Sequence, residues 1–440
     1  MNRTILNELG VFHPDGGVFN HINHCLTKKG SNQLESWILH PLKKVKQIHQ
    51  RHEIVRFWES QAPITFEYVI NNGTLTMVDD FLSNQENYNL KPNPFNIYIT
   101  QKLQRWFKKA SQNHLIFHFE YIHSLFSAVH QLNTIGQQFK SDSNEEWNTW
   151  QNDLLKILKH PIAEQLLKPI STFSLLDKST LLYQFKRTGK QVLYQAMEAF
   201  AVWDAWQSLA YLSKEFKWVF PTIVESASPV LSMEKVYFPA IEEPVPFDLE
   251  FKPSERFLLL TGANMSGKST LLRTIGVVYV LAQLGAPLPA QEATLSPING
   301  IYTNLSVRDD IYRGESFFYA EVLRMKEAAK TIKSSSNYLF LMDELFKGTN
   351  FQDAFDSTRL IMEALAPYKD HLFVLSTHIY ELAEQYQQKD YIKAVYMETL
   401  QDKMNGYQFT YQLKEGVSND KIGSLILKKE GILEILKQSS

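Results

Sequence analysis

The sequence predicts a multidomain protein: a mainly α-helical region over residues 1–225, then an α/β domain over residues 226–440. Three observations carry this. Up to about residue 220, apolar residues recur at helical spacing with few strand signals. Around Phe220-Pro221 and Pro229 the composition shifts, and short apolar runs begin to alternate with helical stretches. One of those runs leads through a glycine-bearing loop into a helix, the strand–loop–helix unit of a mostly parallel sheet.

Leu34, Trp37 and Ile38, then Val45, Ile48, His52 and Val55, lie on helical faces, with Pro41 as the break between them. Asn87 to Asn96, containing Pro92 and Pro94, reads as a connector. Residues 98–135 and 145–215 are again helical in pattern, as in Leu154, Leu155, Ile157, Leu158 and then Ile162, Leu166, Leu167. Strands are expected at Val236-Tyr237-Phe238, Phe247 to Phe251, Arg256 to Leu260, Tyr338 to Met342 and His371 to Leu375, with a helix from Lys268 to Leu284. There is no internal repeat and no low-complexity tract.

Composition sets the bounds. The 440 residues are 44% hydrophobic and 21% charged, which suits a soluble globular chain with a large core. No run of 18 apolar residues predicts a membrane span; Ile275 to Ala290 contains Gln283 and reads as a buried helix. The N-terminus has no long apolar stretch of the signal-peptide kind. A lone cysteine, Cys25, excludes an intramolecular disulfide and a cysteine zinc site, and a cytoplasmic location is expected. Net charge is −2, and residues 1–225 hold 23 Lys and Arg against 20 Asp and Glu. A polyanion-binding surface must therefore be a local patch.

Gly262 to Ser269, Gly-Ala-Asn-Met-Ser-Gly-Lys-Ser, fits G-x-x-x-x-G-K-S/T, the pattern of a phosphate-binding loop. Gly262 and Gly267 permit the backbone angles that turn successive N–H groups toward a polyphosphate. Lys268 supplies a cation for the β- and γ-phosphates, and the Ser269 hydroxyl is a ligand for Mg²⁺. The helix after the loop sets the phosphates at a helix N-terminus. Asp343-Glu344, at the end of the apolar run Tyr338–Met342, has the form of a Walker B element. Asp343 is a candidate Mg²⁺ ligand, and Glu344 a candidate base for the attacking water. Two acids after a strand are common; the loop about 75 residues upstream is what gives them meaning. His378, after the next apolar run, is a candidate sensor of the γ-phosphate, although a lone histidine is more often structural.

Together these segments resemble the MutS family of DNA mismatch-repair ATPases, an ABC-type group. Gly262-Ala263-Asn264-Met265-Ser266-Gly267-Lys268-Ser269-Thr270 is similar to the family's G-P-N-M-G-G-K-S-T, with Ala263 and Ser266 as departures. Asp343-Glu344-Leu345-Phe346-Lys347-Gly348-Thr349-Asn350 resembles D-E-I/L-G-R-G-T-S, with Phe346 in place of a glycine. Ser376-Thr377-His378-Ile379-Tyr380-Glu381-Leu382 resembles A-T-H-Y-F-E-L. Asp309-Asp310 through Gly314, Ser316 and Phe318 looks like the family's D-D-x-x-x-G-x-S-T-F segment. By resemblance, Ser316 reaches the γ-phosphate bound by a partner subunit; the residues alone read as a helix N-cap, with Glu321 too far along to close a capping box.

Phe19 to His24, Thr27, Gly30, Trp37, Pro41-Leu42 and Arg51 resemble the start of the family's helical core or lever domain, and Glu415 to Ser418 with Ile422-Gly423 its closing dimer segment. The resemblance implies a helical core/lever domain followed by a P-loop (ABC-type) ATPase domain. It implies ATP with Mg²⁺, and a homodimer whose sites are completed in trans. Site residues are then Gly262, Asn264, Met265, Ser266, Gly267, Lys268, Ser269 and Thr270 for the nucleotide, Ser269 and Asp343 for the metal, and Glu344, His378 and Ser316 for catalysis.

The expected partner is DNA of unspecified type, with no membrane. The core resemblance begins within the first 20 residues, so a trimmed form is expected, without the family's mismatch-recognition and connector domains. Phe57-Trp58-Glu59 matches the family's Phe-x-Glu wedge only by coincidence. Lys102, Arg105 and Lys109 are a candidate phosphate-contacting face, although such a cluster is more often a solvated helix face. Two alternatives stand beside a mismatch-repair ATPase: a clamp for branched DNA or recombination intermediates, and a nucleotide-gated scaffold that binds protein. A P-loop kinase is remote, because Glu344 directly after Asp343 favours water as acceptor.

Overall fold

The computed structural model describes residues 1–13, 16–83, 91–93, 110–141, 143–305, 317–400, 407–418 and 435. The candidate patch at Lys102, Arg105 and Lys109, and the segment with Asp309, Asp310 and Ser316, lie outside the described residues. The chain forms two compact units: Met1–His21, Ile38–His49 and Phe216–Ser440 in one, Ile22–Trp37 and Gln50–Glu215 in the other.

The second of these units is helical. Its long helices include Ala110–Gly136, Glu145–Leu158 and Lys190–Phe216. Glu145–Leu158 and Lys190–Phe216 meet Val45–Gln61 in an aromatic core: Trp58, Trp203 and Trp206 are fully buried, and Trp147 and Trp150 nearly so. The rings of Trp150 and Trp206 meet at a steep angle with centroids 5.2 Å apart, and Trp150 Nε1 donates to Ala199 O at 2.9 Å. Phe57 packs edge-on against Phe139 and Trp147, so the wedge-like tripeptide belongs to this core.

The other unit holds two sheets. β1 (Thr222–Ile223), β2 (Leu231–Val236), β3 (Phe247–Glu250) and β5 (Glu292–Leu295) form a four-stranded sheet in the order β1-β5-β2-β3. β4 (Phe257–Thr261), β6 (Gly300–Asn304), β7 (Tyr338–Asp343), β8 (Leu372–Ser376), β9 (Ile392–Leu400) and β10 (Gln408–Glu415) form a six-stranded one. Its order is β10-β9-β4-β8-β7-β6, parallel throughout except for β10. β4 and β8 are buried along their whole length, as strands covered on both faces must be. The helix Lys268–Leu284 packs on β7 and β8. Residues of Phe317–Ser334, Phe351–Leu365 and Tyr380–Tyr386 share one apolar cluster with β4, β7 and β8.

Strand register sets the position of the site. Leu260 and Asp343 both pair with Ser376, so β4, β8 and β7 end at the same edge of the sheet. The segments leaving those three strands are brought together there, the usual place for a ligand in an open α/β sheet. Among the described residues no helix is long and apolar enough to cross a membrane.

Candidate functional site

The turn after β4 runs through Gly262 at φ 134°, Met265 at φ 67° and Gly267 at φ 104° before the helix Lys268–Leu284 begins. The left-handed angle at Gly262 suits glycine alone, and an added Cβ would come within 3.1 Å of Met397 O. Asn264 and Met265 sit exposed at the crest, whereas Ser266 is fully buried. The Ser266 Oγ is buried with no hydrogen-bond partner among the described residues.

Lys268 is only 6% exposed. Its Nζ donates to Gly262 O at 2.8 Å and Ala263 O at 2.9 Å, so the lysine ties the loop to itself. Burial pulls its pKa below the ordinary lysine value, and the charges of Glu344 and Asp343 act in the opposite sense.

Asp343 ends β7 and joins the two neighbouring segments. Its Oδ2 accepts from Ser269 Oγ at 2.8 Å, and its Oδ1 accepts from Ser376 Oγ. Glu344 comes next, in the left-handed region at φ 54°, with its N–H donating to Ser376 O at 3.0 Å. Its Oε2 lies 3.4 Å from Lys347 Nζ and 3.8 Å from Nδ1 of the half-exposed His378. Thr377 is held by Leu260 O at 2.9 Å from its own N–H. The loop residues Gly262 to Thr270, Asp343, Glu344 and His378 therefore share one sheet edge; Ser316 lies outside the described residues.

Phe346 stands where the resembled motif has glycine, and its backbone keeps the glycine-like conformation at φ 60°. A non-glycine residue there costs about 1–2 kcal/mol. Burial offsets this: Phe346 is 4% exposed, with its ring 5.8 Å from that of Phe318.

Three features carry no motif signature. A cavity of about 380 Å³ opens beside the loop, lined by Phe238, Phe247, Met265, Thr270, Met397 and Tyr411. Phe238 and Tyr411 belong to no motif. The signal at Tyr411 is structural: φ 57° where the β9–β10 register shifts between Phe409 and Leu413. Glu321, 2% exposed, accepts from Lys347 N and Gly348 N, each at 3.2 Å. Burial raises its pKa, and these N–H groups with that of Phe346 pull it back. Among the described residues no group of three or more His, Cys, Asp or Glu could hold a metal ion.

Comparison with known proteins finds two matching family models. The model of MutS domain III matches residues 5–210, and that of MutS domain V matches residues 258–438. The DNA mismatch repair protein MutS of Petrotoga mobilis is 31% identical over 240 residues, 54% of this chain and 29% of that protein. Its counterpart in Thermotoga maritima is 32% identical over 249 residues, 55% of this chain and 30% of that protein. That in Bacillus pumilus is 32% identical over 225 residues, 50% and 26% respectively. The matched stretch thus spans under a third of each of these relatives. With two domain models matching most of its length and relatives at this identity, the chain belongs to the MutS family.

Proposed function

We propose that this chain is an ATPase of the ABC type that acts on DNA, with residues 1–225 as the helical core and lever region and residues 226–440 as the ATPase and dimerisation region. The observation that carries the reading is the Ser269–Asp343 hydrogen bond at 2.8 Å, which joins the first turn of the post-loop helix to the carboxylate ending β7. Ser269 and Asp343 would hold Mg²⁺, which when bound neutralises phosphate charge.

The rest of the site fits the same ligand. The buried, unpartnered Ser266 hydroxyl suits a phosphate oxygen. Lys268 exchanges its two carbonyl acceptors for phosphate, a charge-assisted bond. The cavity with Phe238 and Tyr411 suits a stacked nucleobase. Glu344 takes the proton of the attacking water, while Lys347 and His378 flank its carboxylate on the solvent side. DNA as the partner rests on the relatives' name, DNA mismatch repair protein MutS.

The test is ATP binding and turnover in wild type, Glu344→Gln and Lys268→Ala, with duplex and four-way DNA added in turn. Glu344→Gln should bind ATP as wild type does and turn over about 10²–10⁴-fold more slowly. Turnover within threefold of wild type would exclude Glu344 as the base. ATP affinity unchanged by Lys268→Ala would remove the phosphate site altogether. If DNA changes neither turnover nor mobility, the DNA part of the reading fails alone.

A further inference from the structure

We infer that Glu321 is the positioning residue for Glu344: its buried carboxylate fills the backbone nest that shapes the turn carrying the base. The inference rests on the ATPase reading above and adds a residue to it.

The turn after β7 is unusual. Glu344 at φ 54° and Phe346 at φ 60° are both left-handed and neither is glycine. Two such residues within three persist only where their surroundings hold them. Alternation of hand along a chain also turns successive N–H groups toward one point, and an anion is the natural occupant. Here the anion comes from the protein. Glu321 accepts from Lys347 N with one oxygen and from Gly348 N with the other, at 3.2 Å each. It reaches the turn from the helix Phe317–Ser334, whose Phe318 also packs on Phe346. One helix therefore grips both the backbone and the side chain of the turn.

The grip passes directly to the base. Lys347 is held at its backbone by Glu321, and its Nζ lies 3.4 Å from Glu344 Oε2. Glu344 is further fixed by its own N–H to Ser376 O. If the Glu321 contact is lost, the left-handed turn relaxes and the carboxylate of Glu344 shifts, while Gly262 to Ser269 keep their own bonds. Glutamine cannot replace Glu321, because its amide offers one acceptor oxygen to two donors.

The experiment compares Glu321→Gln with wild type for ATP affinity, single-turnover rate and melting, and repeats the rate in the Glu344→Gln background. Displacement of a catalytic group by about 1 Å costs on the order of 10²-fold in rate, so a loss of that order is expected, with ATP Kd within threefold. In the Glu344→Gln background, Glu321→Gln should cost nothing further. A wild-type rate in Glu321→Gln overturns the inference. So does a parallel loss of ATP affinity, or an equal loss in both backgrounds, since either marks a merely structural role. If Glu321→Gln does not fold, an ester in place of the Lys347 peptide N–H deletes one bond and keeps every side chain; an unchanged rate there is equally fatal. Absent wild-type turnover, or turnover indifferent to Glu344→Gln, would instead overturn the ATPase reading.

Discussion

Asp204 is a buried carboxylate with three donors and no cation among them. Its Oδ1 accepts from Leu26 N at 2.8 Å, and its Oδ2 from Thr27 N at 2.9 Å and Thr27 Oγ1 at 2.7 Å. Gly30 is required beside it, since a Cβ there would lie 2.2 Å from Oδ2. Burial pushes its pKa from 3.8 up to about 6, against the pull of the donors. The folded-state value is raised, so the stability it contributes is fully present below about pH 4 and lost as pH rises through about 6. Asp204→Asn strands one of the buried N–H groups and should cost about 1–3 kcal/mol at pH 7. The gap between wild type and variant in denaturant unfolding should widen from pH 7 to pH 5; a constant gap would mean an unshifted carboxyl. None of this is legible in the sequence, where the partners stand 177 and 178 residues apart. The meeting of Ser269 with Asp343 is legible, because the G-x-x-x-x-G-K-S/T pattern and a carboxylate at the end of an apolar run both stand in the sequence. Glu321 is not, because its partners are backbone N–H groups, which carry no residue signature.

At the scale of elements, the helix Lys268–Leu284 has the bounds its sequence predicts, set by left-handed glycines on both sides, Gly267 and Gly285. Val236-Tyr237-Phe238 reads as a strand, but β2 stops at Val236, after Lys235 at φ 48° and a register shift between Met233 and Val236. That early stop leaves Phe238 to line the cavity beside the loop. The long helical pattern of residues 145–215 is several helices: Pro161 opens one, and a Ser174–Asp177 capping box opens another. Periodicity shows the apolar face, and local caps decide where it is cut. The first residues of the chain group with the second half through close packing that no pattern displays. Leu9 sits against Gly276, and Arg273 Nε donates to Glu8 O at 3.1 Å. A Cβ at 276 would meet Leu9 Cδ2 at 2.4 Å and Leu341 Cδ1 at 3.0 Å. Gly276→Ala should therefore destabilise by about 1–3 kcal/mol through overpacking, although alanine favours helix. Hydrogen exchange should rise in residues 3–11 before it does elsewhere. A variant as stable as wild type would show that Leu9 can move aside at no cost.

At the scale of the whole molecule, the proposed site is open on one side among the described residues. The cavity beside the loop reaches solvent at Met265, 76% exposed, and His378 is half exposed over Glu344. A second copy is the proposed closure. It would supply Ser316, whose segment resembles one that acts in trans. In the proposed two-fold dimer each ATP would bridge the subunits, and its hydrolysis would release the bridge. Subunit mixing tests this without a structure of the dimer. Lys268→Ala and Ser316→Ala should each be weakly active alone. In a heterodimer of the two, one site loses both residues and the other keeps both. Random mixing makes half the dimers heterodimers, each with one intact site of two, so about a quarter of wild-type turnover should return. The recovery should track the fraction of heterodimer as the mixing ratio is varied. If heterodimers form, shown by differently tagged chains, and turnover stays at the level of the parent variants, Ser316 does not act across the interface and the trans mechanism is wrong.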